Sequence, residues 1–213
     1  MLHAEPTKKG TGLALFGHAD DLKSLHETIH FLCDGITDPF GQNEHALSVA
    51  YEVRKAFERQ RLVVDTASGT QFGAQFVWPH IIFYASFFRQ LAARRPTTKA
   101  HQSNLWRLEH CLETALVEYD AKIGNEIIAT YPPVGAVSRG FLPGYVSDVV
   151  YSFLYNEGSG KMRFRRLPSV IKSMFEWSPE YREYAAFLEG EAKRHGCSAH
   201  QLRDTRDWPA IAW

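Results

Sequence analysis

A chain of 213 residues in which 24 Lys and Arg balance 24 Asp and Glu carries no net charge at pH 7, which removes any global attraction for nucleic acid or an anionic membrane. Hydrophobic residues make up 45% and charged residues 23%, a balance ordinary for a soluble globular protein. The length is that of one globular domain, 1–213, able to bury a sizeable core.

In chain order, residues 1–10 read as a flexible or extended start without the apolar run of a signal peptide. Thr11 to Gly17 reads as a short strand. Asp20 or Asp21 then caps a helix reaching about Cys33, with Leu22, Leu25, Ile29 and Leu32 as its stripe. After a loop through Asp34-Gly35 and Asp38-Pro39, Asn43 caps a second helix that points Ala46, Ala50, Val53 and Phe57 inward. Leu62 to Thr66 and Thr70 to Trp78 form two strands joined at Ser68-Gly69.

Pro79 opens a third helix to about Arg94 that is apolar on most sides and therefore central. One long helix follows Thr97 or Thr98, carries Leu105, Leu108, Leu112, Ala115, Tyr119 and Ile123, and stops before Tyr131-Pro132-Pro133. Val134 to Pro143 lacks periodicity, and Pro143 opens a helix closed by Gly158. Lys161 to Arg166 alternates basic and apolar residues like an edge strand, and Pro168 to Trp177 reads as a short helix. Ser178-Pro179-Glu180 starts a helix that ends at Gly196, and Ser198 with Gln201 forms a capping box for a last turn. The fold class expected is α+β and helix-dominated. A small antiparallel or mixed sheet of three to four short strands is packed by about seven helices.

His26-Glu27-Thr28-Ile29-His30 reads H-E-x-x-H. On a helix, imidazoles four positions apart share a face and can hold Zn²⁺, while Glu27 serves as general base. A third ligand is needed. The longer metzincin pattern fails at Cys33 and Ile36. Glu44 lies 14 positions after His30, within an Asn-Glu pair that resembles the thermolysin-like second motif, but Val49 replaces that motif's Asp. Glu52 lies 22 positions after His30 without a motif around it. Only 25 residues precede His26, enough for one strand where zincins build several. His26 and His30 also flank the apolar stripe, where imidazoles commonly serve packing and hydrogen bonding.

Lys161, Arg163 and Arg165 would share one face of the edge strand and, with Arg166 and Lys172, could track phosphates. The same charges also suit an edge that resists aggregation. Gly158-Ser159-Gly160-Lys161 is phosphate-loop-like but has Tyr155 for the first glycine and Met162 for the Ser or Thr. Trp106, Trp177, Trp208 and Trp213 mark a contact surface wherever they are exposed.

Thr11-Gly12-Leu13 to Gly17 with Asp20-Asp21-Leu22 to His30, Val49 to Arg54 with Phe57, and Val77-Trp78-Pro79 leading into Phe83-Tyr84 together resemble a bacterial family that is a domain of unknown function. The resemblance covers roughly residues 11–95 and rests on core positions and a Trp-Pro junction. It implies a shared fold, no activity, and no requirement for His at position 26.

Cys33, Cys111 and Cys197, odd in number and without C-x-x-C, fit reduced thiols, so a soluble cytoplasmic protein is expected. Phe76 to Phe88, broken by Pro79, His80 and Ser86, is too short for a membrane span. The leading expectation is a binding or interaction module without cofactor, acting on itself as a homodimer or on a protein partner. The alternative is a zinc hydrolase with His26, His30 and Glu44 or Glu52 as ligands. The third option is phosphate or nucleic-acid binding through 161–172, against which the neutral total argues.

Overall fold

The computed structural model describes residues 1–34, 42–67, 69–136, 141–155, 158–202 and 207–213, and of these not the side chains of 42–44 and 200. Four strands form one antiparallel sheet in the order β1-β2-β4-β3: β1 His3–Pro6, β2 Gly12–Gly17, β3 Leu62–Thr66 and β4 Gly69–Val77. The opening decapeptide thus supplies an edge strand. The paired residues Leu13 and Phe76, and Leu15 and Ala74, share one face of the sheet and belong to the hydrophobic core. Ala14 and Phe16 point to the opposite face, where Phe16 lies flat over Gly73, whose hydrogen leaves room for the ring.

Helix α1 (Ala19–Cys33) buries Leu22, Leu25, Ile29 and Leu32 against the core face. Its cap position is His18, so Asp20 and Asp21 sit in the first turn, where they complement the helix dipole rather than cap it. Helix α2 (Gln42–Phe57) buries Ala46, Val49, Ala50 and Val53, and the side chain of Asn43 lies outside the described residues. Trp78–Ala92 forms α3 with Pro79 in its first turn. Buried on nearly every side, it is the central helix of the fold.

The single long helix expected to reach Tyr131 is two helices, α4 (Lys99–Tyr119) and α5 (Ala121–Thr130). Asp120 ends one in an extended conformation and caps the other, its carboxylate accepting from the N–H groups of Lys122 and Ile123 at 3.2 Å.

Helix α6 spans Leu142–Tyr155. Lys161–Ser173 is a helix, α7, and not an edge strand followed by a separate helix. The buried residues Phe164, Leu167, Pro168 and Ile171 recur at spacings of three and four, and Met162, which the strand reading made apolar filling, is 64% exposed. Helix α8 (Pro179–His195) has the expected Ser178 cap and left-handed Gly196, and the Ser198–Gln201 capping box opens a 3₁₀ turn.

Together these elements make a helix-dominated α+β fold. Among the described residues no helix is long and apolar enough to cross a membrane. The C-terminal segment returns to the sheet, where the Thr11 hydroxyl donates to the Ala212 carbonyl at 2.5 Å and Trp213 packs against the core.

Candidate functional site

Helix α2, the end of β4, the first turn of α3, helix α6 and the C-terminal segment converge on a groove of about 580 Å³. Its apolar lining includes Phe76, Val77, Val150 and Leu154, and aromatic side chains come from Tyr51, Trp208 and Trp213. The polar lining consists of His45, Ser48, Glu52, Gln75, His80 and Ser147. A concave, mostly apolar site with a small number of placed polar groups is the usual form of an organic-ligand pocket.

His80 follows Trp78-Pro79 directly, so the start of α3 fixes it at the end of β4. Its Nε2 lies 3.2 Å from Ser48 Oγ on α2, and its ring meets Tyr84 edge to face at 4.7 Å. Burial, and then the neighbouring His45, push the His80 pKa down to about 4, which keeps the imidazole neutral at physiological pH. The Ser48 hydroxyl donates to the His45 carbonyl at 2.5 Å. With that hydrogen given to His45, the His80 tautomer protonated at Nε2 donates to Ser48 Oγ, and the two side chains form a hydrogen-bonded pair at the groove wall. The sequence did contain a signal for this site, because His80 is an imidazole interrupting the most apolar run. Ser48, Tyr51 and Gln75 carried none.

The H-E-x-x-H residues lie on α1. His26 and His30 do converge, with ring centroids 4.4 Å apart, and His26 also meets the Phe57 edge at 5.8 Å. Burial first, then His30 and the cation of Arg54, hold the His26 pKa below its ordinary value. That cation also disfavours a divalent metal ion there. Glu27 is exposed. Glu52 is engaged elsewhere, gripped at both oxygens by the Arg61 guanidinium at 2.6 and 2.9 Å, and the side chain of Glu44 lies outside the described residues. Among the described residues no group of three or more His, Cys, Asp or Glu side chains is placed to hold a metal ion.

The basic segment does not present Lys161, Arg163 and Arg165 on one strand face. On α7, Arg165 and Arg166 are exposed while Arg163 is half-buried, and Lys172 pairs with Glu126 at 3.1 Å. Three of the marked tryptophans are exposed. Trp106 (67%) lies beneath the Arg89 guanidinium, Trp177 (57%) stacks on Phe175, and Trp208 (51%) meets Tyr151 edge to face. They stand on separate segments, and of the three only Trp208 lines the groove.

A family model described as a domain of unknown function (DUF6904) matches residues 2–213, well beyond the first 95 residues that carry the resemblance in sequence. No curated protein and no solved structure matches the chain.

Proposed function

This chain belongs to the DUF6904 family, whose description assigns no activity, and we propose that it is a binding module that takes a small, largely apolar organic ligand into the groove between α2, β4, α6 and the C-terminal segment. The observation that carries this reading is the neutral His80–Ser48 pair set among aromatic and aliphatic walls. One polar pair orients a ligand, and the walls supply affinity by excluding water. Tyr51, Trp208 and Trp213 favour a flat or aromatic ligand body.

The test is titration with N-phenyl-1-naphthylamine, an uncharged naphthalene probe, followed by its fluorescence. Saturable binding at one site per chain is expected for the native protein. Ser147→Phe, which fills the groove from α6, should abolish it while the far-UV spectrum stays native. Equal binding by this variant would place the probe elsewhere and remove the basis of the reading.

The zinc alternative has one observation in its favour, the close approach of His26 and His30. It requires stoichiometric zinc in the purified protein, lost on His26→Ala. Elemental analysis finding no zinc in protein purified without chelators would end it.

A further inference from the structure

A second cavity, of about 200 Å³, opens between α6 and α7 and has a different character. Arg163 and Arg166, three positions apart on α7 and thus neighbours along one helix face, line it together with the hydroxyl-bearing residues Tyr145, Ser152 and Ser173. Only one acid, Asp148, joins them, and Asp148 also lines the cleft toward α8.

Arg163 is half-buried. Its Nη1 donates to Thr11 Oγ1 at 2.7 Å, and the guanidinium stands over the Phe153 ring at 5.9 Å. Its Nε is sealed from solvent and has no acceptor among the described residues. Among the described residues no carboxylate pairs with Arg163 or Arg166. Burial depresses the Arg163 pKa, and the neighbouring Tyr119 opposes that shift only in part. A partly buried guanidinium without a counter-charge among the described residues is costly, and an anion in the cavity would supply one.

We propose that the cavity between α6 and α7 binds a small phosphate-bearing anion, held by Arg163 and Arg166. Guanidinium forks match phosphate oxygens at two points. Gly158 and Gly160, both at positive φ, bring the chain into the start of α7, whose dipole adds to the positive potential on that side. The Gly-Ser-Gly-Lys stretch does not follow phosphate-loop spacing, so the site rests on the two side chains and their cavity rather than on a loop of backbone amides. A volume of about 200 Å³ admits a phosphate or the head of a phosphomonoester and excludes a nucleic-acid duplex.

Calorimetric titration of the full chain tests this, with inorganic phosphate and phenyl phosphate as separate probes and ionic strength held constant with sodium chloride. Saturable binding of either at one site per chain is expected. Phosphate binding alone identifies the free ion as the ligand, and tighter binding of phenyl phosphate identifies an ester. Arg166→Gln, which alters an exposed side chain not needed for folding, should weaken binding at least about tenfold, the loss of one charged hydrogen-bonded contact. Ser152→Phe should block the cavity and abolish binding. The proposal fails if neither probe binds saturably, if Arg166→Gln binds as well as the native chain, or if acetate binds as tightly as phosphate. It fails equally if only a single-stranded oligonucleotide binds. Ser147→Phe, which fills the other groove, should leave phosphate binding unchanged, so this result stands apart from the groove reading.

Discussion

At the scale of the residue, His80 ties the candidate site to stability. Its pKa falls from 6.5 to about 4 on folding. Between those values the unfolded chain takes up a proton that the folded chain refuses, so stability is lost as pH falls from 6.5 toward 4. The loss reaches at most about 3 kcal/mol. Urea unfolding at pH 7 and pH 4.5 should show a large drop in midpoint for the native protein and a smaller one for His80→Gln. Identical drops would mean that His80 is not the group responsible. The depressed pKa of His26 leaves a residual dependence in both proteins. What was legible at this scale was the apolar stripe of each helix, because burial follows spacing. The partners of buried polar groups were not. Asn104 donates to the Ser24 carbonyl and to the Ser24 and Thr28 hydroxyls, about 80 positions away, and Ser86 donates to the Pro132 carbonyl while accepting from Gly135 N–H. Such bonds depend on packing between segments, which no local pattern encodes. The groove was hidden for the same reason, since four segments separate in sequence build it.

At the scale of the element, the two misread segments share a cause. Lys161 to Arg166 alternates over only six residues, and a short alternation is compatible with a helix whose apolar positions begin at its second turn. The period becomes clear only when Leu167 and Ile171 are counted with Phe164, across Pro168 in the interior of α7, a residue that ordinarily argues against a continuous helix. The stripe of α4 and α5 runs through Asp120 without losing phase, so periodicity concealed the break. Asp is nevertheless a strong cap and a poor interior helix residue. Gly124 shows why the break matters: a Cβ there would stand 2.6 Å from the carbonyl carbon and oxygen of Leu116. Gly124→Ala should therefore destabilise the protein by about 1–3 kcal/mol despite the better helix propensity of alanine, and Asp120→Ala by about 1 kcal/mol through the lost cap. Thermal unfolding measures both. A Gly124→Ala protein more stable than the native one would show that α4 and α5 do not approach as described.

At the scale of the whole molecule, Thr11 is the point where segments remote in sequence meet. It is fully buried at the start of β2. Its carbonyl accepts from Trp78 N–H at the entry to α3, its hydroxyl accepts from Arg163 on α7, and the same hydroxyl donates to Ala212 in the C-terminal segment. The sheet, the central helix, the wall of the second cavity and the segment carrying Trp208 and Trp213 therefore meet at one residue, the last two through its hydroxyl group. Thr11→Val keeps the shape and the Trp78 bond but removes that hydroxyl, leaving Ala212 without its donor and Arg163 without its acceptor. Unpaired groups of this kind cost about 1–3 kcal/mol each when they stay buried. The C-terminal segment can escape the cost by detaching, because few other hydrogen bonds hold it among the described residues. Hydrogen exchange followed by mass spectrometry should then show faster exchange confined to 207–213, together with weaker binding of the naphthalene probe, since Trp208 and Trp213 leave the groove wall. Faster exchange spread evenly over the chain would instead indicate general loosening. Exchange unchanged at 207–213 would show that the packing of Trp213, and not the Thr11 hydroxyl, holds the segment in place.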